Sequence, residues 1–427
     1  ILKVFFHLLK NFKYDFFVNT YIHIRIYYIL ERSVFMMKDI KIKYFDHAAT
    51  TPVREEVLKE MLPFFSIEYG NASAAYRLGR NSKRAIELAR SRVAKAIGCS
   101  QNEVYFTSCG SESDNLALKG VAYANKNKGN HIITTKIEHH AILESCATLE
   151  RQGYEVTYLN VDENGFINLQ ELENSIKKTT ILISIMFANN EIGTIQPILE
   201  IGSIAKKHNI LFHTDSVQAI GNVKINVKDM NIDLLSLSAH KFYGPKGIGA
   251  LYIKQGTNIT RIQDGGHQEK DKRAGTENVA EIVALGKAIQ LADNELNEYN
   301  TKLKTLRNYM IKELEEKIPN IKINGDKEKR LPGNVNVSFK YVDSQELLMK
   351  LDEKGFCASA GSACSTGVMA PSHVLLAIGL KPEEAQGTLR FTLGRENTKQ
   401  DVDDLIENLQ QLVKSIRKRT EKYNNIE

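Results

Sequence analysis

Lys241 closes an apolar run, Leu234-Leu235-Ser236-Leu237-Ser238-Ala239-His240-Lys241, and is followed by the turn-forming stretch Phe242-Tyr243-Gly244-Pro245-Lys246-Gly247. The run reads as a buried strand, and ligands of open parallel sheets gather at the carboxyl ends of strands. A lysine amine at that place can capture an aldehyde cofactor and then shuttle protons; a surface lysine in a loop is the plain alternative. The stretch Phe212-His213-Thr214-Asp215-Ser216-Val217-Gln218 ends another apolar run with a carboxylate. Such an acid can pair with the nitrogen of a pyridine cofactor, whose protonated ring is an electron sink, or it can simply cap a helix. In Phe106-Thr107-Ser108-Cys109-Gly110-Ser111-Glu112 a strand gives way to small residues and then a helix start. Backbone amides and a helix dipole grip phosphate in this arrangement, although Ser/Gly capping loops look the same. At Glu138-His139-His140 the adjacent imidazoles point apart, which argues against a metal pair, and no HExxH occurs. One imidazole stacked on an aromatic cofactor and a helix-capping histidine are the two readings. The Gly244–Gly249 run has neither Walker nor dinucleotide spacing.

A thiol supplies the remaining chemistry. Cys364 lies in Ser359-Ala360-Gly361-Ser362-Ala363-Cys364-Ser365-Thr366-Gly367, a loop with almost no bulk to pack. A thiol presented there suits a nucleophile; an incidental cysteine in a linker is the alternative. Of the other four cysteines, Cys99, Cys146 and Cys357 read as packing residues and Cys109 sits beside the phosphate-type loop. An odd count without a CxxC pair speaks against a disulfide framework and a zinc ribbon, and for a reducing cytoplasm.

These residues need strands and helices to hold them. Apolar runs at Glu103–Thr107, His131–Thr135, Glu155–Leu159, Ile181–Met186, Ile210–Thr214, Leu234–Ser238 and Ala250–Ile253 alternate with helical patterns such as Ser82–Ile97 and Leu199–His208. That alternation predicts an α/β fold with a mainly parallel sheet covered on both faces. After about residue 295 the character changes. A charged amphipathic segment (Asn294–Lys317), a strand (Asn334–Phe339), a helix (Ser344–Lys354), the Cys364 loop, a helix (Ser372–Ile378), a strand (Thr388–Thr392) and a last helix (Lys399–Arg419) predict a smaller α+β domain. The expected division is 51–295 for the large domain and 296–427 for the small one, with 36–50 joining the latter.

Residues 1–35 differ in composition from the rest, and polar residues break every apolar run short of a membrane span. They also lack a signal-peptide pattern. We read them as translated upstream sequence, with Met36 or Met37 as the start. Net charge is +6, of which the segment before Met36 carries about half, and no basic stripe interleaved with aromatics suggests nucleic acid. Neither a membrane nor a nucleic-acid partner is expected.

From about residue 44 to 420 the chain resembles cysteine desulfurases of the NifS/IscS type, within the class-V aminotransferase family of fold-type I pyridoxal 5'-phosphate (PLP) enzymes. The resemblance is carried by Tyr44-Phe45-Asp46-His47-Ala48-Ala49-Thr50-Thr51-Pro52, Asn189-Asn190-Glu191-Ile192-Gly193, Ser238-Ala239-His240-Lys241, Arg273-Ala274-Gly275-Thr276-Glu277-Asn278 and Leu389-Arg390-Phe391-Thr392-Leu393-Gly394-Arg395. It implies a seven-stranded sheet in the large domain. It also implies that Lys241 holds PLP, Asp215 pairs with the pyridine nitrogen, Gln218 contacts the ring oxygen and His139 stacks on the ring and shuttles protons. Gly110, Ser111, Ser238 and His240 would hold the phosphate, with Thr276 arriving from the second subunit of a homodimer. Asn190 would lie near ring oxygen and substrate, and Arg390, helped by Asn71, would clamp the substrate carboxylate. Cys364 would take sulfur from L-cysteine and hand it to an acceptor protein, an iron–sulfur scaffold or a tRNA thiolation enzyme. It could also serve as a transient iron–sulfur ligand, with no structural metal. The spacing from Cys364 to Pro371 and His373 resembles the long-loop type. Cys109 replaces a frequent glycine, and the polar tail Thr420–Glu427 is shorter than the docking ends of some relatives. A selenocysteine lyase, a cofactor-free sulfur carrier and a membrane-tethered protein are the alternative readings.

Overall fold

A computed structural model describes residues 41–360 and 371–419. The expected leader (1–35), Cys364 and the tail Thr420–Glu427 lie outside the described residues. Seven strands form the large sheet: β2 (Val104–Thr107), β3 (His131–Thr135), β4 (Glu155–Leu159), β5 (Thr180–Ser184), β6 (Leu211–Asp215), β7 (Leu234–Ser238) and β8 (Gly249–Ile253), following the short β1 (Lys43–Tyr44). Their order is β2-β8-β7-β6-β5-β3-β4. Neighbours from β7 to β4 run parallel, while β8 is antiparallel to both β7 and β2. One reversed strand therefore leaves the carboxyl ends of β2, β3, β5, β6 and β7 at the same edge of the sheet. Every residue of β3, β5, β7 and β8 is buried, as a sheet covered on both faces requires.

One face is covered by the long helix Arg77–Ile97, whose Ile86, Ala89, Val93 and Ile97 recur at helical spacing and pack into the core with Val279–Asn294. On the other face Gly110–Ala124 and His140–Arg151 bring Leu116, Val121, Ile142 and Leu149 onto β3, β7 and β8. The expected segment Asn294–Lys317 proves to be the end of one helix and the whole of another, Leu296–Lys317, broken at Glu295 where the backbone leaves helical geometry.

A second sheet, wholly antiparallel, has the order β12-β13-β10-β9, with β9 (Ile321–Ile323), β10 (Asn334–Phe339), β12 (Ser359–Ala360) and β13 (Thr388–Thr392). It packs with Leu296–Lys317 and Lys399–Arg417 around a core of its own that includes Phe45, Val337, Phe339, Leu389, Phe391 and Leu405. Thr398 caps the last helix reciprocally with Asp401, and Asn397 Oδ1 accepts the Gly394 N–H at 2.7 Å, so the expected strand stop and helix start fall there. Between 36 and 50, β1 pairs in parallel with β11 (Phe356–Cys357). No helix among the described residues is long and apolar enough to cross a membrane.

Candidate active site

The carboxyl edge of the large sheet gathers the expected cofactor residues. Asp215 ends β6 and is only 6% exposed, its Oδ1 accepting the Val217 N–H at 2.9 Å. Burial raises its pKa, and the charges of His139 and Lys241 work in the opposite direction. Two more buried carboxyls lie close behind. Burial first, and Asp215 second, push Asp114 well above the carboxylate range, and burial pushes Glu138 up to about 8. Neighbouring buried acids cannot all ionise. Asp215 has the ammonium of Lys241 facing it, whereas the charged neighbours of Asp114 are acids, so Asp215 is the member that carries the charge. His213 is held neutral by burial, at a pKa of about 3, between the hydroxyls of Ser184 and Ser236 at 2.8 and 3.0 Å.

Lys241 follows β7 by three residues in a single turn of 3-10 helix. Its Nζ donates to the carbonyls of Ala48 and Ala49 at 2.6 and 2.8 Å. The Ala48 carbonyl also accepts Gln218 Nε2 at 3.1 Å, and Thr50 Oγ1 meets His240 Nδ1 at 3.2 Å. The loop 46–51 is thus laced to the lysine end of the sheet. Burial, then the charges of Lys241 and Lys246, bring His240 down to about 4 and keep it neutral. His139 caps the helix His140–Arg151 with Nδ1, which accepts the Ala141 N–H at 3.1 Å, so the proton of the neutral ring sits on Nε2. Although the ring is reachable from the mouth, the protein packed around it and the charges of Lys241 and His140 lower its pKa. The adjacent His140 turns instead to His373, ring centres 4.9 Å apart.

The phosphate end is built from the helix Gly110–Ala124, long enough to carry a useful dipole. A Cβ on Gly110 would lie 2.7 Å from Val217 Cγ2 and 3.5 Å from Ser238 Cβ. Only glycine lets the helix start come this close to the ends of β6 and β7. Cys109 is the cap, its Sγ accepting the Glu112 N–H at 3.4 Å. Glu112 in turn accepts the Ser108 N–H at 2.6 Å and Arg273 Nε at 2.9 Å. Ser111 is exposed at the helix start and Ser238 is nearly buried beneath it. A helix N-terminus with hydroxyls and a neutral imidazole suits a phosphate, and a lysine with a buried carboxylate suits an aldehyde-bearing pyridine. The donor set fits PLP.

Across the loop 46–51 stands the second sheet. Arg390, on β13, is almost fully buried; Nη1 donates to the Asn190 carbonyl at 3.0 Å and Nη2 to Asp46 Oδ1 at 2.9 Å. Asp46 received no role from the sequence beyond membership of the entry motif, and only its place in that motif could have drawn notice. Asn71 is exposed and spends Oδ1 on the Ser73 N–H in a tight turn, 2.9 Å away, and makes no hydrogen bond to Arg390. Thr276 is likewise exposed and makes no hydrogen bond to the cofactor residues among the described residues. Cys146 is fully buried, as expected, whereas Cys99 and Cys357 are partly exposed. For Cys357 the reason is alternation along β11: Phe356 turns into the core around Phe45, and Cys357 faces the other side.

This arrangement, a lysine at a strand end opposite a buried acid with a phosphate-type helix start beside them, defines a PLP enzyme of the α/β kind. The family profile for aminotransferase class-V matches residues 43–405. A cysteine desulfurase IscS of Clostridium botulinum is 56% identical over 376 residues, 88% of this chain and 95% of that relative. Among solved structures, a NifS-like protein superposes with a TM-score of 0.83 at 38% identity, over 88% of this chain and 100% of the other. A structure of SspA in complex with cysteine gives 0.72 at 38% identity, over 83% and 100%. The chain belongs to the class-V aminotransferases, among the cysteine desulfurases of NifS/IscS type, and is a PLP-dependent enzyme.

Proposed function

We propose that the chain is a cysteine desulfurase that converts L-cysteine to L-alanine and passes the sulfur, held as a persulfide on Cys364, to an acceptor protein. The observation that carries this reading is the loop 46–51, held on one side by Lys241, Gln218 and His240 and on the other by Arg390. It brings a carboxylate-binding arginine to the same mouth as the lysine and Asp215, as an amino-acid substrate needs. Bound PLP supplies an aldehyde that takes up the substrate amine and a protonated ring that stabilises negative charge at the α-carbon.

The residues of the chain do the rest. Asp215, ionised, keeps the pyridine nitrogen protonated, and His139 covers the ring and holds a proton on Nε2 for transfer. Lys241 Nζ takes the proton from the α-carbon of the substrate. Arg390 receives the substrate carboxylate, with Asn190 beside it. Cys364 Sγ, as thiolate, attacks the substrate sulfur; the carbon–sulfur bond breaks, the sulfur stays on Cys364, and the three-carbon remainder is protonated to alanine. The same reading divides the chain at about residue 295, the first part binding the cofactor and the second carrying Arg390 and Cys364. It places the enzyme in the cytoplasm as a homodimer, with Thr276 and Asn71 serving at or beside the mouth. The acceptor is an iron–sulfur scaffold or a tRNA thiolation enzyme, the former favoured by the IscS name of the relative that is 56% identical.

Incubation with L-cysteine followed by intact mass measurement tests the proposal. The chain should gain one sulfur and release alanine, and Cys364→Ala should do neither. A sulfur adduct that survives the substitution would remove Cys364 from its role.

A further inference from the structure

We propose that Asp46 is a positioning residue of the substrate clamp: it fixes the Arg390 guanidinium so that its remaining donors face the incoming carboxylate. The inference rests on the reading of Arg390 as the clamp. Asp46 and Arg390 are both largely buried, with side chains 14% and 7% exposed. Of the five N–H groups of the guanidinium, one on Nη2 goes to Asp46 Oδ1 and one on Nη1 to the Asn190 carbonyl. Nε is buried and has no partner among the described residues. The fork is therefore held at two points and keeps donors uncommitted, the condition for paired recognition of a second carboxylate.

Asp46 is itself fixed. Its Oδ2 accepts Ser359 Oγ at 2.7 Å, and Ser359 lies directly opposite Arg390 in the β12–β13 ladder. Its backbone bridges to Thr392, two residues along β13, while the Ala48 N–H donates to Thr392 Oγ1 at 2.8 Å and the Thr392 carbonyl meets His47 Nδ1 at 2.9 Å. Both carboxylate oxygens are thus directed at β13 and its neighbour. The charge of Asp46 makes the sign of the effect informative. A negative Asp46 beside Arg390 weakens the pull of the arginine on any other anion. If charge were all that mattered, removing it would tighten substrate binding. If orientation matters more, removing it loosens binding.

The test uses the cofactor-loaded enzyme and two ligands, L-alanine and its decarboxylated analogue ethylamine, titrated by the change in visible absorbance. Asp46→Asn should raise the Kd of L-alanine about tenfold, the scale of one weakened charge-assisted hydrogen bond, and leave ethylamine within about twofold. Ser359→Ala, which frees one oxygen of Asp46 without touching Arg390, should give a smaller shift of the same kind, about threefold. It keeps the proposal testable if Asp46→Asn does not fold. Unchanged or tighter L-alanine binding, or equal losses for both ligands, would overturn the proposal. Arg390→Ala separates the two layers: if it leaves L-alanine affinity intact, the clamp reading itself fails. If it weakens L-alanine and the Asp46 and Ser359 variants do not, only the positioning role falls.

Discussion

Lys241 ties the loop 46–51 to the charged groups of the site. Its amine reaches two carbonyls of the loop 46–51, and its charge acts on Asp215, His139 and His240. Lys241→Ala should abolish alanine formation and remove the visible absorbance of the bound cofactor on dialysis, while the far-ultraviolet dichroism stays unchanged. Retention of the absorbance after dialysis would contradict its role. The placement of Lys241 and Asp215 at the carboxyl edge of the sheet was legible from sequence, because each ends an apolar run of strand length and strand ends in such sheets are where ligands sit. The pairing of Asp46 with Arg390 was not. The two lie 344 positions apart, and neither local periodicity nor composition relates residues at that separation. Cys357 was misread for a related reason: which face of a two-residue strand meets the core depends on distant neighbours such as Phe45, and in β11 it is Phe356 that faces them.

At the scale of elements, the loop 46–51 is the joint between two sheets, and Gly394 is what lets it lie flat. A methyl group at Gly394 would overlap the His47 ring, which is already buried against the Thr392 carbonyl. Gly394→Ala should therefore cost about 1–3 kcal/mol in urea unfolding and raise the KM for L-cysteine, since the displaced neighbours of His47 include Asp46 and Ala48. An unchanged unfolding midpoint would show that the ring moves aside freely. The strands of the large sheet, with β10 and β13, were readable almost to the residue, because β-branched and Leu-rich runs bounded by turn residues have few other solutions in a covered sheet, whereas the short β9, β11 and β12 were not. The break at Glu295 falls where the sequence changes character, next to the expected segment start at Asn294, although no glycine or proline marks the join.

For the molecule as a whole, the buried acids behind the cofactor site couple stability to pH. Glu138 has a folded-state pKa of about 8 against an ordinary value of 4.5. Between these values the folded chain keeps a proton that the unfolded chain has released, so the contribution is fully present below about 4.5 and is lost as pH rises through about 8. Glu191, raised to about 7 by burial, acts in the same direction. The contribution of these two acids to the unfolding free energy should thus fall between pH 5 and 8, while the depressed His213 and His240 act the other way below about 6.5. Glu138→Gln should remove the loss due to Glu138, on the order of a few kcal/mol. Parallel pH curves for the two proteins would contradict it.

The distance along the chain between Asp46 and Arg390 has a further consequence for biosynthesis. The groups proposed to grip the cofactor, Gly110 through Lys241, are translated as one block, and β7 and β8 close on each other locally as a hairpin. The arginine emerges about 150 residues later, after the large sheet has had time to fold as a unit. A chain that ends before β13 is expected to lack the proposed carboxylate clamp. Carboxylate recognition by the proposed clamp is therefore expected only once strand β13 has been drawn back to Asp46.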